Sequence, residues 1–275
     1  MSASIVVLTD FLAVANRALS YAAGLAVPLQ AHLVLLHVRH DGLLAPAEYR
    51  RHYLQREERK TVHALYELAA HQPVMTDVDI SDEFLSEAVK ESVRQHHPLL
   101  LVLGRPGSAT APQEIIMSAA MDLLRQVPHP LLVVPTVGWQ DAALPRRLLL
   151  AVDGEPFHLF PHQDVLHRML QATQGTLDVV HVTVPDQVRP DAAKMLSTLR
   201  QTGLTEEPLP LDRLHEINQS DIVGGVLGEA ARQQADLLVV VARRHCLLGS
   251  LFHRSVTAQL IQESMVPVLV FPAED

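Results

Sequence analysis

The six residues Ile5-Val6-Val7-Leu8-Thr9-Asp10 recur as Leu148-Leu149-Leu150-Ala151-Val152-Asp153, so an apolar run closes on an aspartate twice in one chain. Both runs are short and do not alternate with polar residues, which is typical of strands buried on both faces of a parallel sheet. Three more runs recur in the same order, at 33–38 and 177–182, at 99–103 and 237–241, and at 130–135 and 267–272. These ordered matches indicate two copies of one structural unit.

The separation between matched residues changes slowly along the chain. It is 143 residues from Asp10 to Asp153 and 137 from Pro130 to Pro267, as small insertions and deletions in loops would produce. We therefore predict two domains, residues 1–137 and 145–275, joined by the stretch around Thr136–Arg147. Each is of ordinary domain size.

Helical patterns separate the apolar runs. In the first half, one helix face is predicted from spacings of three and four residues, and its members are Val14, Ala18, Tyr21, Ala22 and Leu25. Strands that alternate with helices through short connections predict βαβ units with right-handed crossovers. The fold class is therefore α/β, with two tandem, doubly wound, Rossmann-like domains of five parallel strands and four helices each.

The composition narrows the classes of partner. Lys and Arg number 22 and Asp and Glu 31, which gives a net charge of −9 and excludes the basic footprint that nucleic-acid or anionic-membrane binding needs. Residues 18–38 carry no charge over a length that could span a bilayer, but Pro28 favours a helix followed by a buried strand. The single cysteine, Cys246, excludes a disulfide framework, so we expect a cytoplasmic protein.

Polar residues and glycines follow the predicted strands at the edge where such sheets bind ligands. Asp10 and Asp153 each end a first strand, where a carboxylate either accepts hydrogen bonds from a base or ribose or caps the next helix. Gly104-Arg105-Pro106-Gly107 follows a fourth strand, and Met117-Ser118 is expected at the start of a helix. This arrangement suits a phosphate, and an ordinary turn is the alternative.

These residues resemble the motifs of the universal stress protein family. The resemblance rests on the aspartate that ends strand one, on His37-Val38 at the end of strand two, on the G-x-x-G of Gly104 and Gly107, and on the closing Pro-Val-Leu-Val at 267–270. It covers nearly all of the chain as a tandem pair of such domains.

Nucleotide-binding members of that family carry G-x-x-G, nine residues, then a glycine and a serine or threonine. Residues 108–116 are the nine, Met117 replaces the glycine and Ser118 matches the hydroxyl residue, so Met117→Gly is expected to tighten binding. The resemblance implies ATP or another adenine nucleotide, with or without Mg²⁺, held by Asp10, Val38, Gly104, Gly107 and Ser118.

The second half departs further from this motif. If Leu237 is aligned on Leu99, Ala242 and His245 replace the two glycines and the loop is one residue shorter. Of the motif residues, only Asp153 and Ser255 remain. We expect a degenerate second site, because the side chains that replace the glycines block the close backbone approach that glycine allows. The loop's basic residues lie in solvent, form a salt-bridged face, or bind an anion through their side chains, and they are Arg243, Arg244, His245, His253 and Arg254.

The sequence contains no GxxxxGK[ST], GxGxxG, HExxH or GxSxG motif, so we assign no catalytic residue and expect no enzyme, beyond slow incidental ATP hydrolysis. His158 and His162 have the spacing of one helix face but no carboxylate or cysteine partner, so no metal site is expected. His37 and His181 end buried strands and are expected to form structural hydrogen bonds.

The resemblance also implies an assembly and a function. Single-domain members pair through the fifth strand, so residues 131–134 and 268–271 are expected to pair antiparallel within this chain about a pseudo-twofold axis. We predict a regulatory adenine-nucleotide-binding protein of the stress response, with binding in the first domain. The alternative is a nucleotide-independent protein–protein interaction module with both ATP sites degenerate. An unknown protein partner is expected, no nucleic-acid or membrane partner is expected, and a homodimer stays open.

Overall fold

The computed structural model describes residues 3–9, 13–39, 54–105, 113–136, 144–161, 164–185, 189–205, 207–243 and 255–274. At 13–15, 54–58 and 113–118 only the backbone is described. Three predicted site residues are affected. Asp10 and Gly107 lie outside the described residues, and the side chain of Ser118 does too.

The first domain alternates strands and helices as its sequence predicts. Its elements are β1 (Ser4–Leu8), α1 (Ala13–Leu29), β2 (His32–Val38), α2 (Leu54–Ala70), β3 (Thr76–Ser81), α3 (Leu85–His96), β4 (Leu100–Arg105), α4 (Gln113–Gln126) and β5 (Leu131–Pro135). Ala18, Tyr21, Ala22 and Leu25 are all buried on α1, so those members of the predicted helix face are confirmed. Pro28 lies inside the last turn of α1, and β2 begins at His32.

The second domain repeats this order with one addition. Its elements are β6 (Arg147–Val152), β7 (His158–Leu159), α5 (Val165–Thr173), β8 (Thr176–Thr183), α6 (Ala192–Gln201), a 3-10 turn (Leu211–Arg213), β9 (Leu214–Asn218), α7 (Ile222–Arg232), β10 (Leu237–Arg243), α8 (Val256–Glu263) and β11 (Val268–Glu274). With the short strand β7, the described residues of this domain form six strands where five are predicted. His158 lies on β7, so its predicted place on a helix face is wrong, and His162 lies outside the described residues.

All the strands join one sheet, in the order β3-β2-β1-β4-β5-β11-β10-β6-β8-β9, with β7 added on β11. Each domain contributes the same parallel order, and the two halves meet where β5 and β11 run antiparallel. Leu132 faces Leu269 at the centre of that pairing. The strands 131–134 and 268–271 therefore shield each other's edges, as the sequence predicts.

The strand register shows which residues of the two domains are equivalent. Leu101 pairs with Leu131 across β4 and β5, and Leu238 pairs with Val268 across β10 and β11. Residues 131 and 268 are matched by the repeat. Leu101 is therefore equivalent to Leu238, a separation of 137 residues.

This register corrects the alignment of the fourth strands by one residue. The matched leucines at 99 and 237 are 138 apart, whereas the pairing requires 137, so Arg105 is equivalent to Ala242 and not to Arg243. Ser118 and Ser255 are also 137 apart. The loop of the second domain is therefore as long as that of the first, and the predicted deletion is wrong.

Both faces of the sheet are covered by helices. One core contains Leu101 and Leu103 of β4 with residues of α3, α4, α7 and α8, and the other contains Leu100 and Val102 with residues of α1, α5 and α6. Successive side chains of a strand therefore enter opposite cores. In the described part of the chain, no helix combines the length and the apolar character needed to cross a membrane.

Candidate functional site

Strand order reverses between β1 and β4 in the first domain and between β6 and β10 in the second. Ligands of open α/β sheets bind beyond the carboxyl ends of the strands at such a reversal. Of the five residues predicted for the first-domain site, Val38 and Gly104 are fully described. Val38 ends β2 and Gly104 is the penultimate residue of β4, paired with Val134 of β5.

A histidine fixes the backbone just before the aspartate in each domain. His37 Nδ1 lies 3.0 Å from the carbonyl oxygen of Thr9, and His181 Nδ1 lies 3.0 Å from that of Val152. A carbonyl only accepts, so Nδ1 carries the proton in both rings and donates it. Both histidines are therefore structural, as predicted, and each holds the peptide from which Asp10 or Asp153 emerges.

The second crevice contains a buried cation from its own domain. Arg243, at the end of β10, is 5% exposed, and its Nη2 lies 2.8 Å from Oδ1 of Asp153. Its guanidinium also donates to the carbonyl oxygens of Pro156 and Glu155, both at 2.7 Å. Arg243 therefore matches the salt-bridged alternative for the basic loop and not the solvated one. Residues 244–254 lie outside the described residues.

The acceptors of Arg243 belong to a segment that crosses the second crevice. Residues 153–159 leave β6, pass β10 and add β7 to β11, where Leu159 pairs with Ala273. The Phe157 ring is buried, and the guanidinium carbon of Arg243 lies 5.9 Å from its centroid. Because β10 lies between β6 and β11, this segment and Arg243 together cover the strand reversal.

A close backbone contact completes this covering. Gly154 has φ +87°, and a Cβ built on it would lie 2.6 Å from Cγ of Pro190 and 3.2 Å from Cε1 of His181. Only glycine suits both the left-handed backbone and this approach. The chain that follows β8 therefore packs directly on the residue after Asp153.

The first-domain arginine points elsewhere. Arg105 continues the side of β4 that carries Leu103, towards α4 and α8, whereas Arg243 continues the opposite side of β10. Its Nη1 and Nη2 lie 2.5 and 2.6 Å from the carbonyl oxygens of Gln262 and Ser264 at the end of α8. A shift of one residue in a strand moves a side chain to the other face, so the two arginines have different partners.

The helix after the fourth strand begins differently in the two domains. Helix α4 begins at Gln113, so Met117 and Ser118 lie in its second turn. The prediction that these two residues start the helix is therefore wrong. In the second domain, Ser255 is the N-cap of α8, with no side-chain cap hydrogen bond. Only the first four amides of a helix are free to bind an anion, so the Ser118 amide is not among them.

Two other features of the described residues bear on the choice of site. No group of three or more His, Cys, Asp or Glu side chains in the described ranges could hold a metal ion. A surface groove of about 440 Å³ lies between α6 and residues 208–211 and contains none of the predicted site residues. The crevices at the strand reversals therefore remain the candidate sites.

Sequence comparison matches both halves of the chain to the same family model. A family model described as the universal stress protein family matches residues 1–135 and 145–272. There is no significant match among curated proteins.

Solved structures share the fold over the whole chain. A universal stress protein from Archaeoglobus fulgidus DSM 4304 is 18% identical, with 99% of each chain covered and a TM-score of 0.68. A putative universal stress protein from Pseudomonas aeruginosa UCBPP-PA14 is 16% identical, covering 99% of this chain and 94% of its own, with a TM-score of 0.56. The cytoplasmic domain of a prokaryotic cation chloride cotransporter is 10% identical, and the match covers 98% of this chain and 95% of the cotransporter domain, with a TM-score of 0.52.

Proposed function

The chain belongs to the universal stress protein family, and we propose that it is a cytoplasmic regulatory protein of the stress response that binds an adenine nucleotide in its first domain. ATP with Mg²⁺ is the ligand to test first. Binding, and not turnover, is the proposed activity, because no sequence motif supplies a base aimed at a nucleophile.

The contact between Arg243 and Asp153 carries the choice of domain. A nucleotide in the second crevice would have to displace a buried guanidinium that already contacts this carboxylate and two carbonyl oxygens. Removing a cation from such partners leaves them unsatisfied, which is costly. Oδ1 of Asp153 already accepts from Arg243 and from the amide of Glu155, so a base or ribose would compete with both donors.

The first domain has no cation at the position equivalent to Arg243. Arg105 is committed to the end of α8, and Pro106 occupies the position equivalent to Arg243. Gly104, whose equivalent is Val241, brings a bare backbone to the end of β4. These differences support Asp10 and Val38 as the contacts for adenine, with Gly104, Gly107 and Ser118 as the candidate phosphate contacts.

The placement of Ser118 inside α4 favours the alternative function, an interaction module that needs no nucleotide. A site that has lost its helix N-terminus at this residue binds phosphate less well. In that case neither domain would bind a nucleotide, and the protein would act only by binding a protein partner on its surface.

Isothermal titration with ATP and Mg²⁺ separates the two functions. The wild-type protein is expected to bind one nucleotide, Asp10→Ala to weaken binding at least tenfold, and Asp153→Ala to leave the affinity within about twofold, since tenfold corresponds to about 1.4 kcal/mol. Thermal unfolding of each variant checks that it is folded. No heat of binding to the folded wild type supports the interaction module, and equal losses in both variants contradict the choice of domain.

A further inference from the structure

We infer that the second domain is the anchor for the first-domain site, and that Arg105 is the positioning residue that joins them. This inference rests on the proposed function, because it concerns the same crevice. It gives the second domain a role in nucleotide binding although its own crevice is closed.

The contact is made at the carboxyl end of a helix. Arg105 Nη1 lies 2.5 Å from the carbonyl oxygen of Gln262, and Nη2 lies 2.6 Å from that of Ser264. The last carbonyls of a helix have no partner within the helix and carry its negative dipole end, so a guanidinium is the cation suited to them. Each hydrogen bond is charge-assisted and directed by the planar fork of the arginine.

The acceptor side is itself held rigidly. Ser264 is 1% exposed, and its amide donates to the carbonyl of Leu260 at 3.0 Å. Its hydroxyl donates to the carbonyl of Val266 at 2.8 Å, which fixes the turn between α8 and β11. Arg105 therefore binds a rigid corner of the second domain, and its position is determined by that corner.

The donor side lies at the proposed site. Arg105 follows Gly104, pairs with Pro135 in the sheet, and accepts a hydrogen bond from the amide of Thr136 at 3.1 Å. Its backbone is thus fixed by β5 and its side chain by α8. The carboxyl end of β4, which borders the first crevice, is held from both domains at one residue.

The contact made by Arg105 has no counterpart at the equivalent residue of the second domain. The residue equivalent to Arg105 is Ala242, whose methyl group cannot reach or bond a helix end. The second domain therefore steadies the end of β4 without a matching contact from β10 to the end of α4. The crevices differ in the same sense, since the domain that Arg105 anchors has Pro106 at the position where the second domain has Arg243.

The test compares the full-length protein with Arg105→Ala and Arg105→Lys, and uses Arg94→Ala as the control. Arg94 is an exposed first-domain arginine whose described partner is Glu91, three residues away on α3. Titration with ATP and Mg²⁺ gives the affinity. Hydrogen–deuterium exchange of the peptide covering 256–264, with and without nucleotide, gives the response of the second domain.

We expect ATP to slow exchange at the end of α8 in the wild type and in Arg94→Ala. Arg105→Ala should bind ATP about fivefold or more weakly, in the range usual for coupled sites, and lose this response, and Arg105→Lys should restore part of both. A merely stabilising contact would leave the nucleotide-dependent change intact in a folded variant.

The outcomes separate this inference from the proposed function. If the wild type binds ATP and Arg105→Ala binds it equally well with the same exchange response, the inference is overturned and the proposed function stands. If the folded wild type binds no nucleotide, the proposed function fails and the inference falls with it.

Discussion

The guanidinium of Arg243 lies 2.8 Å from the carboxylate of Asp153, and the two side chains differ sharply in exposure, at 5% and 57%. A pair in which the anion is solvated gains little from Coulomb attraction. The hydrogen bonds from Arg243 to the carbonyls of Glu155 and Pro156 are shielded better, because the arginine itself is buried. The arginine should therefore matter more to stability than its acidic partner.

Arg243→Ala is expected to lower the free energy of unfolding by about 2 kcal/mol, since it removes hydrogen bonds to a charged group. Asp153→Ala should cost less than about 1 kcal/mol, because the carboxylate is exposed. Urea unfolding followed by circular dichroism measures both. Arg168→Ala, which breaks an exposed pair with Asp164 on α5, is the control and should change little. Equal costs at 243 and 153 would mean that the ion pair itself dominates.

The repeat in the sequence was enough to predict two doubly wound domains, and the family resemblance added the pairing of β5 with β11. It did not show the face from which Arg243 emerges. Residues 99 and 237 are both leucine, but the hydrogen-bond register makes Leu100 equivalent to Leu237. A shift of one residue in a strand moves a side chain to the other face of the sheet. Side-chain direction in this region depends on pairing that only the folded sheet reveals.

Gly154→Ala is expected to destabilise the second domain more than a positive φ alone requires. Gly154 and Gly203 both have positive φ, at +87° and +78°, but only Gly154 would place a Cβ against Pro190, at 2.6 Å. A left-handed alanine costs about 1 kcal/mol, so Gly203→Ala measures that strain, and Gly154→Ala should cost about 1–3 kcal/mol more through overpacking. Urea midpoints of the two variants test this, and equal losses would show that Pro190 moves aside freely.

The candidate site was less predictable than the fold. His37 and His181 were identifiable because each lies near the carboxyl end of an apolar strand, where an imidazole needs a partner. The segment 153–159 could not be recognised from a sequence motif, because it accepts from Arg243 through backbone carbonyls, which every residue type has. The sequence before Gln113 does carry helix-start signals, Pro112 and the Thr110-x-x-Gln113 spacing, and these favour a start at Gln113 over one at Met117.

Stability should fall between about pH 6.5 and pH 4 because of His129. Burial lowers the pKa of His129 to about 4, although its hydrogen bond to the Pro98 carbonyl opposes the shift. The unfolded chain therefore binds a proton that the folded chain does not, and stability rises with pH across this interval by up to about 1.4 kcal/mol per unit.

His129→Gln removes this titration and keeps an amide that can donate to Pro98. Its free energy of unfolding should fall less than that of the wild type, by about 2 kcal/mol, when the pH is lowered from 7 to 4.5. His63→Gln, on the exposed side of α2, controls for the loss of one imidazole. Parallel pH profiles for wild type and His129→Gln would exclude His129 as the cause.

AMP should bind the first domain nearly as well as ATP. The Arg105 guanidinium is bonded to Gln262 and Ser264, and Ser118 lies in the second turn of α4, so neither the cation nor the amide is placed for a terminal phosphate. We expect the two dissociation constants to differ by less than about tenfold, or 1.4 kcal/mol. Competition titrations with AMP and ATP measure the ratio, and a preference for ATP above a hundredfold would contradict this placement.

Met117→Gly should not tighten ATP binding. The contrary expectation from the sequence placed Met117 at the start of a helix, where glycine would relieve strain and bulk near the phosphates. The structure places Met117 in the fifth position of α4, with helical backbone, so there is no positive φ to relieve. Glycine inside a helix costs about 1 kcal/mol relative to alanine, so the variant should unfold at lower urea concentration and bind ATP no better than the wild type. A folded Met117→Gly variant with tenfold higher affinity would show that bulk at this position does limit binding.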